Sequence, residues 1–218
     1  MTFCLDTTII VPENGEPVKN AVILLHGYGG DGKDISMLTY SWKRFMKNTV
    51  FICPNGHEQC DINPVGFQWF DLSKDDKEYI LNQSIEAETI LNTFIGQVKE
   101  KYKLLNSNII LCGFSQGCMM SINIGVTSKE EFNCIIGFSG KIIDKQNLQS
   151  RLKNKSNLLL IHGDQDEIVS PDYFLEAKDF FERNNFNVQT HLVKNCGHHI
   201  PLEASSLALN FIKKNLNI

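Results

Sequence analysis

Seven short apolar runs, bounded by Gly, Pro and Asn, set the main constraint on this chain: residues 7–11, 21–25, 50–53, 108–112, 134–138, 157–161 and 188–193. Their length and β-branched content suit buried strands. Helical patterns lie between them. Ile90, Leu91, Phe94, Ile95, Val98 and Tyr102 recur at three- and four-residue steps, which predicts one apolar helix stripe. Ser170 and Pro171 read as an N-cap and first helical position, opening a helix through about Arg183. A last helix is expected over about 201–216, with Leu207, Ala208, Phe211 and Ile212 on one face. Strands alternating with helices predict an α/β fold, a mostly parallel central sheet covered on both faces. No repeat or linker interrupts the pattern, so 1–218 is read as a single domain.

Composition removes several function classes. The formal net charge of −4, with no run of Lys or Arg, argues against a nucleic-acid partner. The longest apolar runs are about five residues, far short of the roughly 18–20 that span a bilayer. The first residues lack a secretory pattern of basic then apolar stretch. Seven cysteines without a C-x-x-C pair read as free thiols in a reducing cytoplasm.

In such sheets, chemistry gathers at the carboxyl ends of the strands. After the run 108–112 comes Gly113-Phe114-Ser115-Gln116-Gly117 and then a helix-compatible stretch, 118–126. This is G-x-S-x-G in the strand–turn–helix setting of a nucleophile elbow. The helix behind Ser115 offers free backbone N–H groups and a positive dipole end to a developing oxyanion. Ser139, in Gly137-Phe138-Ser139-Gly140, lacks the second glycine, because Lys141 stands there, and reads as structural. A serine nucleophile needs a histidine base and an acid to orient it, in the chain order serine, acid, histidine. After the run 157–161 comes His162-Gly163-Asp164-Gln165-Asp166, and after 188–193 comes Gly197-His198-His199. Spacing leaves open Asp164 or Asp166 as acid, and His198 or His199 as base.

Taken with Leu25-His26-Gly27-Tyr28-Gly29-Gly30, these segments resemble the phospholipase/carboxylesterase family of α/β-hydrolases, bacterial carboxylesterases and acyl-protein thioesterases among them. The resemblance runs from about Ala21 to Gly197. It implies an α/β-hydrolase fold with Ser115 as nucleophile, Asp166 as acid and His198 as base, and 218 residues spent on a full core are expected to leave no stretch for a large cap domain. It also implies an oxyanion hole from the backbone N–H groups of Tyr28 and Gln116, with Tyr28 replacing the family's usual leucine. Trp69-Phe70-Asp71 resembles the family's W-F/Y-D segment beside the acyl site. Phe67, Trp69 and Phe70, in a stretch that reads as loop, are therefore candidate substrate contacts or anchors of that loop to the core. Residues 54–60 depart from the apolar, proline-rich form of eukaryotic members, so their long-chain preference is not carried over.

The implied reaction is two-step acyl transfer with no cofactor and no metal. Its substrate would be a small-molecule ester, a lysophospholipid or an acylated protein. The oligomeric state is left open, a homodimer included. A rival reading is nucleotide binding. Residues 27–32 match G-x-G-x-x-G, and 27–33 nearly match a P-loop, but Asp34 stands where Ser or Thr would meet Mg²⁺. The next strand also ends in Ile52-Cys53-Pro54, without the acid that a ribose requires. An inactive hydrolase-fold interaction module fits less well, since every catalytic residue type is present. A metal enzyme is weaker still, because His57-Glu58-Gln59-Cys60 lacks the second histidine of H-E-x-x-H.

Overall fold

All seven apolar runs become strands of one sheet in the computed structural model, which describes residues 2–12 and 15–218. In chain order the strands are β1 (Thr7–Ile10), β2 (Asn20–Leu25), β3 (Thr49–Pro54), β4 (Glu58–Cys60), β5 (Asn63–Gln68), β6 (Ile109–Phe114), β7 (Cys134–Phe138), β8 (Asn157–Gly163) and β9 (Val188–Val193). The large sheet has the order β1-β3-β2-β6-β7-β8-β9. Only β1 runs antiparallel, pairing Thr7 with Pro54 and Ile10 with Phe51. Every other pairing in it is parallel.

The helices are α1 (Gly32–Ile35), α2 (Thr39–Trp42), α3 (Lys77–Tyr102), α4 (Gln116–Thr127), α5 (Lys145–Arg151), α6 (Pro171–Arg183) and α7 (Leu202–Leu216). Their ends follow local chemistry. Asp76 caps α3 by accepting from Tyr79 N–H at 2.8 Å, and Ser170 caps α6 with Pro171 in its first turn. The α3 helix begins well before the stripe that announced it. Its first half buries Ser84, Ala87 and Glu88 rather than an apolar row, so hydrophobic periodicity could not reveal it. Glu88 is accommodated there by Arg151 at 2.7 and 3.0 Å and by Asn123 Nδ2 at 2.7 Å.

Strand residues alternate between two apolar layers, as a sheet buried on both faces requires. Ala21, Ile23 and Leu25 pack with Leu91, Phe94 and Val98 of α3 and Met120 and Ile124 of α4. Val22 and Leu24 face the other way, toward Trp42, Ala208 and Ile212. On the first face, Ile135, Leu158 and Leu160 complete the layer against Phe174 and Phe181 of α6.

The stretch read as loop before residue 72 contains a small hairpin instead, β4 with β5. Asn63, Pro64 and Gly66 imitate a turn in sequence. The pairing tolerates them because its register shifts between Gln59 and Cys60, and because β5 sits at the edge of a two-stranded unit. Phe67 also pairs outward with Gly30, which ties the hairpin to the glycine loop after β2. Among the described residues no helix is long and apolar enough to cross a membrane.

Candidate active site

Because β2, β6, β7, β8 and β9 run parallel, the segments that follow them meet along one edge of the sheet. Ser115 follows β6 and occupies φ 53°, ψ −116°, a conformation that costs a side-chain-bearing residue energy and is held only by its surroundings. Two glycines make this turn possible. A Cβ on Gly113 would lie 2.1 Å from Gly117 O, and one on Gly117 would lie 2.1 Å from Leu25 O. The chain can thus leave β6 and enter α4 in direct contact with β2. Ser115 N–H donates to Phe138 O at 2.8 Å, locking the turn to the end of β7.

The structure brings Ser115, His198 and Asp166 into one hydrogen-bonded line. His198 Nε2 lies 3.0 Å from Ser115 Oγ, and His198 Nδ1 lies 2.7 Å from Asp166 Oδ2. An ionised carboxylate only accepts, so the ring proton sits on Nδ1 and the Nε2 lone pair faces the serine hydroxyl. The other oxygen of Asp166, Oδ1, accepts N–H bonds from Ile168 at 3.0 Å and Val169 at 2.9 Å. Burial alone would raise the Asp166 pKa. The bonds from Val169, His198 and Ile168 outweigh burial and hold the carboxyl below its ordinary range. Asp164 instead accepts from Cys196 N–H at 3.3 Å, and His199 Nε2 lies 3.8 Å from Cys196 Sγ. Ser139 is buried at the end of β7, also at positive φ, and has no histidine on it.

Two backbone donors border this line. Gln116 opens α4, so its N–H has no partner inside the helix, and the Tyr28 N–H enters no loop or strand bond among the described residues. The Tyr28 hydroxyl pairs with the Cys60 thiol. Burial, then that bond, raises its pKa to about 12.

Trp69 and Phe70, read from sequence as substrate contacts or as anchors of their segment, have exposures of 0% and 1% and belong to the core. Gln116 Oε1 accepts from Trp69 N–H at 2.8 Å, and Gln116 Nε2 donates to Phe70 O at 2.6 Å. Trp69 Nε1 donates to His26 O at 2.9 Å. Satisfying the backbone of this segment draws both rings inward, so they anchor it. Phe67 is half-buried in β5, and its backbone bonds go to Gly29 and Gly30.

Sequence reasoning assigned no role to two buried histidines. His26 donates from Nδ1 to Gly27 O at 2.7 Å, while its Nε2 accepts from Gly56 N–H at 2.8 Å, pinning the loop that carries Tyr28. His162 Nε2 lies 2.8 Å from Val169 O and 3.2 Å from Asp166 Oδ2; both are acceptors, so it carries a proton. Burial lowers both histidine pKa values, His26 and His162. The available signal was their place at the end of an apolar run: His26 directly follows β2, and His162 is the last residue but one of β8.

The glycine loop has little left for a nucleotide. Gly29 N–H donates to Phe67 O, Gly30 N–H to Gly27 O and Gly32 N–H to Asn55 Oδ1, at 2.9, 3.0 and 2.8 Å. A pyrophosphate would need those same donors. No group of three or more His, Cys, Asp or Glu suited to a metal ion occurs among the described residues.

The elbow, the carboxylate and imidazole that follow β8 and β9, and the doubly covered sheet fit a serine hydrolase of the α/β-hydrolase class. A family model described as Phospholipase/Carboxylesterase matches residues 6–216, and the chain belongs to that family. It is accordingly a hydrolase of esters or thioesters. Acyl-protein thioesterase 1 of Aspergillus fumigatus is 30% identical over 218 residues, 88% of this chain and 86% of the relative. Its counterpart in Kluyveromyces lactis is 28% identical over 95% of this chain and 97% of the relative. Among solved structures, esterase PE8 superposes with a TM-score of 0.92 at 32% identity, covering 96% of this chain and 98% of that one.

Proposed function

We propose that Ser115 is the nucleophile of a two-step acyl transfer, with His198 as general base and acid and Asp166 as the group that orients it. The observation that carries this reading is the unbroken line from Ser115 Oγ through the imidazole to Asp166, at 3.0 and 2.7 Å. His198 takes the serine proton as Oγ attacks the carbonyl carbon, and the negative charge that develops on the carbonyl oxygen meets the N–H groups of Tyr28 and Gln116. His198 then gives its proton to the departing alcohol or thiol. Water activated by the same ring releases the acid and regenerates the serine. No step calls on a cofactor or metal.

The substrates that fit are carboxylic esters of small alcohols and thioesters on acylated proteins. The printed names of the relatives, esterase and acyl-protein thioesterase, support both. The whole chain is read as one catalytic domain. A cytoplasmic setting is supported by the cysteines, all free and all buried except Cys4. The test is turnover of p-nitrophenyl esters and matched thioesters across acyl lengths, wild type beside Ser115→Ala. The substitution is expected to lower kcat by ~10⁶-fold. Turnover near the wild-type level in folded Ser115→Ala would overturn the assignment.

A further inference from the structure

An apolar groove of about 550 Å³ has His198 and Tyr28 in its lining and lies between two walls. Ile35 and Leu38 form one wall, Ile200 and Leu202 the other, and Phe114 lines it beneath the His198 ring, with centroids 4.8 Å apart. The walls are fixed to each other, since Trp42 Nε1 of α2 donates to Ser205 O and Oγ of α7 at 3.2 and 3.0 Å. No lysine or arginine lines the groove, and Asp34 supplies its one carboxylate.

We infer that this groove binds the leaving-group arm of the substrate and selects esters whose alcohol or thiol portion is apolar and uncharged. The inference rests on the roles proposed for Ser115 and His198. In acylation, the bond from Ser115 Oγ to the carbonyl carbon forms and the bond from that carbon to the alcohol oxygen breaks. The proton held on His198 Nε2 passes to the departing oxygen. That oxygen must therefore lie within hydrogen-bond reach of Nε2, and whatever it carries continues past His198, which lines the groove. Apolar walls reward a hydrocarbon arm through burial. A phosphate-bearing arm would be repelled by the Asp34 carboxylate and would find no lysine or arginine among the lining residues. Among the substrates considered, this disfavours lysophospholipids.

The test is a series of acetate esters of straight-chain alcohols, ethyl to hexyl, so that the acyl-enzyme is the same throughout. In the wild type kcat/KM is expected to rise roughly two- to fourfold per methylene. Leu202 and Met37, on the groove's lining, are 77% and 64% exposed, so Leu202→Glu and Met37→Glu can be made without touching the core. In each, the hexyl-to-ethyl ratio should fall about tenfold or more, while Leu202→Met should keep it. An acetyl ester whose alkyl arm ends in phosphate should be the poorer substrate. A flat series, an unchanged ratio in both Glu variants, or preference for the phosphate-bearing arm would overturn the groove assignment. A fluorophosphonate, whose leaving group is fluoride, separates the two readings. A wild type that still labels at Ser115 while the ester series is flat loses only the groove; one that does not label loses both.

Discussion

Ser115 combines a strained backbone with a hydroxyl held 3.0 Å from an imidazole whose far nitrogen is already committed to Asp166. The energy of that strain is offset by contacts that no side chain at 113 or 117 could make. Asp166 shows why two aspartates so close in sequence are not equivalent. Its carboxylate is buried and takes N–H bonds from Ile168 and Val169 besides the imidazole, whereas Asp164 is exposed and bonds only the Cys196 backbone at 3.3 Å. Asp166→Asn is therefore expected to keep the fold but lower kcat by ~10⁴-fold, since an amide can hold the imidazole in the wrong tautomer. Asp164→Asn should stay within about tenfold of wild type, a loss of ~1.4 kcal/mol at most. The reverse order in steady-state kinetics would move the acid.

At the scale of elements, Gln116 links three of them. It is the first residue of α4, its backbone N–H has no partner within that helix, and its side chain holds Trp69 N–H and Phe70 O just after β5. Gln116→Ala keeps the backbone donor but leaves two buried peptide groups unpaired, at ~1–3 kcal/mol each. The melting temperature should fall by roughly 5–15 °C. A shift below about 2 °C would show that water or neighbours replace the amide. The same region shows where reading from sequence stops. The seven central strands were legible because each is an apolar run closed by Gly, Pro or Asn, and the elbow was legible because only glycine fits at 113 and 117. The hairpin of β4 and β5 was not, since its strands are short, its register shifts between Gln59 and Cys60, and Asn63, Pro64 and Gly66 leave no side-chain period. Trp69 and Phe70 were ambiguous for a related reason. Whether an aromatic ring faces a groove or the core depended on Gln116, far away in sequence.

For the whole molecule, the burial that builds the site also makes stability depend on pH. His26 and His162 are held uncharged, with burial lowering both from the ordinary value of 6.5. The unfolded chain therefore binds more protons below 6.5, and the stability these groups contribute is full above that pH and is lost as pH falls toward their folded values. Asp166, lowered from 3.8, adds a second decline as pH falls through its own folded value. The urea midpoint is expected to be flat between about pH 7 and 8, to fall below 6.5 and to fall further below 4. His162→Gln, which retains an N–H donor, should show a shallower first decline. A midpoint unchanged from pH 7.5 to 5 would contradict this account of the buried histidines. The central claim, that one serine among many is activated by the line to His198 and Asp166, is tested most directly by intact mass and peptide mapping after fluorophosphonate treatment. The expected result is a single adduct, on the peptide carrying Ser115, which disappears in His198→Ala. No adduct on folded protein, or one on the peptide carrying Ser139, would contradict it.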